Sequence, residues 1–364
     1  MDLKTTWIEV NLGALERNLG KIRKKLPEQT RLCGVVKADG YGHGAFQIAK
    51  KMKDCNVDFL AVANLSEALE LRQSGIKGPL LILGWTPLEA IAQAIQEEIS
   101  ITVFDELNLK EISKIATLIG KKAKVHLKVE TGMNRLGVTW NKIGPFADLV
   151  NSLPNMIIEG TFSHLATADD LKSPWTQEQN SRFADAINKI RKNQVDPGIC
   201  HLANSAGSLL ETSHPWDMVR IGIACYGAGA GFAAGLEPTL QLKTRIAQVK
   251  ELLPGEAVGY GRRFQNTRVR RVAVLPIGYA DGWGRILFGT SLRHQGKKHP
   301  FVGNICMDQC MIDVTEWPDC KQGDELTLIG TDGLTVQEVA QNSQTIDYEI
   351  LVRLGKRVPR IYID

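Results

Sequence analysis

Eight apolar runs of strand length, separated by amphipathic helical stretches, fill the first two thirds of this chain and leave few folds open to it. The runs are Leu32 to Val36, Phe59 to Val62, Leu80 to Leu83, Ser100 to Val103, Lys124 to Val129, Ile157 to Phe162, Ile199 to Ala203 and Asp217 to Ile221. Leu32 to Val36 has no helical period, the pattern of a strand buried on both faces of a parallel sheet. Between the runs, Gly44 to Lys53, Leu65 to Ser74, Leu88 to Glu97, Leu107 to Leu118 and Gln177 to Asn193 carry apolar residues at three-to-four spacing. Eightfold alternation predicts an α/β chain that begins with a (β/α)8 TIM-type barrel; a doubly wound open sheet is the alternative.

After Gly227 the texture changes to a Gly-Ala tract and then to β-branched segments broken by turns such as Leu253-Pro254-Gly255-Glu256. Leu240 to Val249, Val269 to Leu275, Gln309 to Val314 and Glu325 to Ile329 read as strands of a C-terminal, mostly β domain with one helix, Val336 to Ser343. We place the barrel at 1–232, its first ten or so residues free to pack with the other domain, and the β-rich domain at 233–364. At 364 residues the chain is long enough for two cores. A net charge of +4 with no basic stripe among aromatics excludes a nucleic-acid partner, and no run nears the roughly 20 apolar residues of a membrane span. Met1-Asp2-Leu3-Lys4 leads into no apolar signal region, so a cytoplasmic protein is expected. The seven cysteines, odd in number and set in apolar surroundings, read as reduced core thiols; Cys306 and Cys310 lack a second ligand pair, so no metal site is expected.

Chemistry-bearing residues gather at the predicted strand ends. Lys37 ends the first run and is followed by Ala38-Asp39-Gly40-Tyr41-Gly42-His43-Gly44, whose glycines allow a sharp turn and close approach to a ligand. Lys128 to Arg135, His164, Asn204-Ser205 and Arg220 to Ile223 end runs five to eight, which puts all of them on the face where barrel enzymes carry their chemistry. Ser205, Gly222 and Ile223 suit a phosphate, since backbone N–H groups and a small hydroxyl converge there. A lysine opposite a phosphate site points to pyridoxal 5'-phosphate or to a Schiff-base aldolase acting on a sugar phosphate.

The motifs go further. Val36-Lys37-Ala38-Asp39-Gly40-Tyr41-Gly42-His43-Gly44, Lys128 to Gly137, Ser163-His164-Leu165-Ala166-Thr167-Ala168-Asp169, Arg220-Ile221-Gly222-Ile223, Gly259-Tyr260-Gly261, Gly278 to Gly282, Cys306-Met307-Asp308 and Arg357-Val358-Pro359-Arg360 together resemble the alanine racemases. That resemblance implies an isomerase that interconverts L- and D-alanine on pyridoxal 5'-phosphate and supplies D-alanine for peptidoglycan. It implies Lys37 as the Schiff-base lysine and the base on one face, and Tyr260 as the base on the other. Tyr260 would come from the second subunit of a head-to-tail homodimer. It also implies Tyr41, Ser205, Gly222 and Ile223 at the cofactor phosphate and Arg220 at the pyridine nitrogen. Arg135 falls at the phenolic oxygen and substrate carboxylate, and Met307 at that carboxylate. By the same resemblance, Tyr279, Asp169 and Arg285 would form a gate and Lys128 would be a site for carbamylation. His164 stands near the cofactor as a source of positive charge or hydrogen bonding for Tyr260, because a tyrosine needs such help to act as a base near neutral pH. His201 would orient Arg220. Without the motif, an ion pair with Asp217 is the plainer role for Arg220, and histidines 126, 214, 294 and 299 read as structural.

A guanidinium cannot give up its proton to pyridine, so the ring stays unprotonated and becomes a weaker electron sink with fewer side reactions. Lys356 stands where many family members carry a tyrosine near the cofactor phosphate, which keeps a broader-range racemase in view. A cofactor-carrying protein without catalysis shares the lysine motif but has no use for the last third of this chain.

Overall fold

The computed structural model describes residues 4–209 and 216–364; Met1 to Leu3 and His214 lie outside the described residues. The chain forms two compact units. One comprises Glu16–Gly40 and Gly44–Leu236; the other comprises the described residues up to Leu15, Tyr41–His43 and Glu237–Asp364. The division falls after Leu236 rather than at 232, because the helical turn Ala230–Ala233 and the bond from Leu236 N–H to Gly231 O keep the Gly-Ala tract folded on itself.

The first unit is a closed barrel of eight parallel strands: β1 (Arg31–Val35), β2 (Phe59–Val62), β3 (Leu80–Ile82), β4 (Ile101–Val103), β5 (Ala123–Glu130), β6 (Met156–Phe162), β7 (Ile199–His201) and β8 (Met218–Ile221). Residue pairing joins β8 to β1, β1 to β2 and β2 to β3, and separately β4 to β5, β5 to β6 and β6 to β7. Ser100 closes one seam, receiving from Ile82 N–H and donating to Leu80 O; bonds from Asp217 N–H to Cys200 O and Arg220 N–H to Ala203 O close the other. All residues of β2, β3 and β8 are buried, as expected of strands covered on both faces. The helix Ile143–Ser152, absent from the sequence reading, tolerates Pro145 because a missing N–H costs little in the first helical turn.

After β1 the chain enters a left-handed helical turn. Ala38, Asp39, Gly40 and Tyr41 have φ of 52, 54, 61 and 54°, so three side-chain-bearing residues in this turn each carry about 1–2 kcal/mol of strain. Local bonds hold it: Ala38 N–H donates to Glu67 Oε1 at 2.8 Å, Ala45 N–H to Asp39 Oδ1 at 2.8 Å, and Gly44 N–H to Asp39 O at 2.9 Å.

In the second unit Thr6–Asn11 lies between Leu240–Arg245, antiparallel to it, and Arg360–Ile363, parallel to it; Glu325–Ile329 completes this sheet. Gln248–Leu252, Arg270–Leu275 and Cys310–Asp313 form a second, antiparallel sheet. The single run expected over Leu240 to Val249 is therefore two strands. Ile246 is buried and its N–H goes to Asp324 O, whereas Ala247 N–H goes to Val274 O, so the chain passes from one sheet to the other at this step. Helix Val336–Asn342 begins with a capping box of Thr335 and Glu338, and a further helix, Asp347–Arg353, follows it. No helix among the described residues is long and apolar enough to cross a membrane.

Gly42 has φ of 80°, and a Cβ there would lie 2.2 Å from Leu351 O. Gly42→Ala is expected to destabilise the protein by on the order of 2–4 kcal/mol, through backbone strain and overlap. Gly20→Ala, in the helix Leu12–Lys25 with nothing within 4 Å, is expected to stabilise it by about 0.5–1 kcal/mol. Thermal unfolding midpoints of the two variants check both signs.

Candidate active site

Parallel strands place their carboxyl ends on one rim. Lys37 lies two residues past β1, Lys128 near the end of β5, His164 two past β6, Ser205 four past β7, and Arg220 in β8 just before Gly222 and Ile223. Their charges act on one another. Burial, then Arg135 and Arg220, lower the pKa of the half-buried Lys37 ammonium, with Glu67 opposing. Burial followed by Arg220, Lys128, Arg135 and Lys37 holds His164 well below the usual imidazole range, so it is neutral. Arg135 itself is exposed, and Asp169 is exposed in the loop that follows His164.

Arg220, buried within the barrel, donates through NH1 to His201 Nδ1 (2.9 Å) and His201 O (3.1 Å), and through NH2 to Ser163 O (2.8 Å) and Leu202 O (3.1 Å). NH2 also reaches His164 Nδ1 at 3.2 Å. Its Nε makes no hydrogen bond among the described residues. Burial lowers the guanidinium pKa to about 10, which leaves it protonated at neutral pH. It does not pair with Asp217, whose carboxylate instead accepts from Cys200 N–H at 2.7 Å. One donor is therefore spare, on a group that offers a hydrogen bond without surrendering the proton.

Lys128 is buried, with Nζ 4.2 Å from the centre of the Phe162 ring and no hydrogen bond or ion pair among the described residues. Burial, then Arg220 and Arg135, push its pKa well below the ordinary lysine value. Phe162 is read from the sequence only as the last residue of a strand, with no site role. It stacks on His201 at 4.8 Å with the rings parallel, while the Arg220 guanidinium lies 5.3 Å from its centre.

Ser205 Oγ accepts from Gly222 N–H at 3.0 Å, and the N–H of Ile223 opens the short helical turn Ile223–Tyr226, so it has no partner inside that turn. The buried Ser205 hydroxyl, whose own proton is left to donate, and the Ile223 amide beside it make a donor set of the kind that holds phosphate, with Gly222 N–H fixing the hydroxyl in place. With the spare Arg220 donor and a lysine of lowered pKa, the residues of this rim fit pyridoxal 5'-phosphate.

The remaining candidates belong to the second unit. Tyr41 is buried and packs its ring 6.1 Å from that of Tyr348. Tyr260 is 74% exposed between Gly259 and Gly261, both at positive φ, and Asn304 Nδ2 holds its carbonyl at 2.7 Å. Met307, Tyr279, Arg285 and Lys356 are exposed as well. Bonds from Tyr279 N–H to Cys306 O and Ala280 N–H to Met307 O zip the Tyr279 and Met307 loops together. Arg357 adds a clamp, donating through Nε to Asp281 (2.6 Å) and through NH2 to Asp308 (2.7 Å). The Gly278 to Gly282 and Cys306-Met307-Asp308 motifs and the Arg-Val-Pro-Arg tail each carry one member of that clamp.

Fold and site together define a lysine-centred barrel enzyme with a β-rich second unit. The alanine racemase N-terminal domain model matches residues 10–230 and the C-terminal domain model residues 239–362. Alanine racemase 2 of Caldanaerobacter subterraneus subsp. tengcongensis is 39% identical over 372 residues, covering 100% of this chain and 96% of its own. The structure of the Clostridium difficile 630 alanine racemase in complex with cycloserine superposes with a TM-score of 0.92 at 37% identity, covering 100% of this chain and 96% of that one. The Bacillus anthracis alanine racemase with bound L-Ala-P gives a TM-score of 0.92 at 34% identity, with the same coverage. The chain belongs to the alanine racemase family and is, with it, an isomerase.

Buried His126 and His201 are both held below the ordinary imidazole range, chiefly by burial. On acidification the unfolded chain takes up these protons first. Their contribution to stability is complete above about pH 6.5 and is lost below it, by up to about 1.4 kcal/mol per pH unit for each histidine. Unfolding midpoints measured from about pH 8 to about pH 5 should fall on the acid side of this range; a flat profile would contradict the neutral pair.

Proposed function

We propose that this isomerase interconverts L- and D-alanine with pyridoxal 5'-phosphate, in the cytoplasm, supplying D-alanine for peptidoglycan. The observation that carries this reading is the spare Nε donor of Arg220 in the same rim as a half-buried lysine of lowered pKa. When bound, the cofactor supplies an electron-withdrawing ring that weakens the α C–H bond of an amino acid attached to it. Lys37 anchors it. Ser205, Gly222 and Ile223 would take the phosphate, with Tyr41 and Lys356 assigned to that end, and Arg220 Nε–H would be the donor to the ring nitrogen, a hydrogen bond without proton transfer.

Racemisation takes a proton from one face of the α-carbon and returns one to the other. Lys37 serves one face: its lowered pKa makes the neutral, proton-accepting amine more available. Tyr260 serves the other face of the site in a second copy of this chain, a role that fits its exposure here. In the resulting homodimer, Met307 of that copy and Arg135 hold the substrate carboxylate. His164, kept neutral, supplies hydrogen bonding rather than charge near Tyr260. Tyr279, Asp169 and Arg285 form the gate. Exposed Lys356 supports a second reading, a racemase of broader amino-acid range, whereas a non-catalytic cofactor carrier leaves the whole second unit without a purpose.

The Lys128 amine feels the charges of Arg220 and Arg135 and has no anion in contact among the described residues. The neutral amine, made more available by its lowered pKa, adds CO2 at Nζ and releases one proton to solvent, leaving a carbamate anion that offsets the charges of Arg220 and Arg135. Crystals grown with bicarbonate should show carboxylate density on Nζ; a bare Nζ would count against it.

Solvent deuterium entering Cα of L- and D-alanine tests the main proposal. Lys37→Ala should lose exchange with both enantiomers by on the order of 1000-fold. Tyr260→Phe should impair proton removal mainly from one. Equal loss from both in the half-reactions would contradict the two-base assignment, and protein that takes up no pyridoxal phosphate would defeat the cofactor assignment.

A further inference from the structure

Arg220 is the upper end of a hydrogen-bonded line through the barrel core. Arg220 NH1 donates to His201 Nδ1 at 2.9 Å, His201 Nε2 meets His126 Nδ1 at 2.9 Å, and His126 Nε2 meets Glu159 Oε2 at 3.2 Å. Both imidazoles are fully buried. Glu159 stands in β6 toward the opposite mouth of the barrel, where it accepts from Ser100 Oγ and pairs with Lys124 Nζ at 3.3 Å. The backbone makes room for this line. A Cβ on Gly160 would lie 2.6 Å from His126 Nδ1, and the β5 register slips between Val125 and His126.

The proton positions follow from the two ends. A guanidinium only donates, so His201 Nδ1 carries no proton and neutral His201 bears it on Nε2. That proton faces His126 Nδ1, which must accept, so neutral His126 also bears its proton on Nε2 and donates it to Glu159. A carboxylate only accepts, which agrees with the order read from the arginine. Every N–H in the line points away from Arg220. An added proton on either ring would set two N–H groups against each other. Burial opposes ionisation of Glu159, but hydrogen bonds from His126 and Ser100, with the nearby Lys124, outweigh it and hold its carboxyl at about 2.

We propose that Glu159 is a positioning residue for the racemase site: a remote counter-charge that acts through His126 and His201 to hold Arg220 with NH1 committed and Nε turned to the ligand. The proposal deepens the functional reading above, and its first test does not depend on that reading. Arg220 has no carboxylate partner of its own among the described residues, so the nearest compensation along hydrogen bonds is Glu159, two rings away. Polarisation along such a line strengthens each member, and loss of the charge at one end weakens the acceptor at the other.

The test uses cofactor-free, full-length protein labelled with 15N at histidine, its resonances assigned by single histidine substitutions. In the native protein both rings should show a protonated Nε2 and a hydrogen-bonded, unprotonated Nδ1 at neutral pH. Glu159→Gln, which keeps the shape and removes the charge, should displace the His201 Nδ1 resonance although Glu159 does not touch that ring. Glu159→Asp should shift it less, and Lys124→Met, which removes the other partner of Glu159, should leave it in place. A His201 resonance unmoved in Glu159→Gln, or a protonated His201 Nδ1 in the native protein, overturns the proposal. If Glu159→Gln does not fold, Glu159→Asp against the native protein decides by the same resonance.

In the loaded enzyme, Glu159→Gln should lower kcat about tenfold, the equivalent of roughly one charge-assisted hydrogen bond, with KM for alanine unchanged and partial recovery in Glu159→Asp. A rise in KM alone would overturn the positioning role. If the native protein racemises nothing while the resonances behave as expected, the functional reading fails and the hydrogen-bonded line stands.

Discussion

A guanidinium buried in a barrel, with no carboxylate touching it among the described residues, constrains the groups around it. Leaving the Arg220 donors unpaired would cost several kcal/mol, so the surrounding strands turn acceptors toward it: the carbonyls of Ser163, His201 and Leu202 and the ring nitrogens of His164 and His201. Each acceptor is committed by that duty. His201 and His164 must keep Nδ1 unprotonated, which agrees with the lowering of both by burial and by Arg220. Phe162 fills the remaining side, stacked on neutral His201 and facing the charges of Arg220 and Lys128. The guanidinium thereby becomes rigid, and rigidity is what a donor aimed at one ring nitrogen requires.

The second constraint is mechanical. A left-handed turn over Ala38 to Tyr41 stores strain next to the lysine, and Glu67 and Asp39 offset it with short bonds to backbone N–H groups. Glu67 reaches both Ala38 N–H and Ala63 N–H at 2.8 Å, so it ties the end of β1 to the end of β2. Lys37 is set between a rigid strand and a rigid turn. That geometry explains why three glycines crowd into five residues, and also why Asp39, without chemistry of its own, belongs to the motif.

The barrel was legible because strands buried on both faces are predominantly apolar, and all eight runs appear within a residue or two of their expected ends. Legibility failed where two sheets share one stretch of chain. Leu240 to Val249 is uniformly strand-forming, and only the partners of Ile246 and Ala247 reveal the crossing. It failed for Ile143–Ser152 because Gly144 and Pro145 disguise a helix start. Among the site residues, Lys37, Ser205, Arg220 and His164 were visible as polar residues at strand ends. His126 and Glu159 were not: a histidine and a glutamate inside strands read as structural until the line that joins them to Arg220 is traced.

The linear order of residues determined the barrel strands, most of the helices between them, the family and the placing of chemical groups at one rim, since those depend on local periodicity and on motifs short enough to read directly. Tertiary structure alone decided which nitrogens carry protons, which donor of Arg220 stays free, and that Lys128 is a buried amine with no anion in contact among the described residues. Protonation and hydrogen-bond commitment depend on burial and on partners 19 to 75 residues apart, and no local pattern contains either.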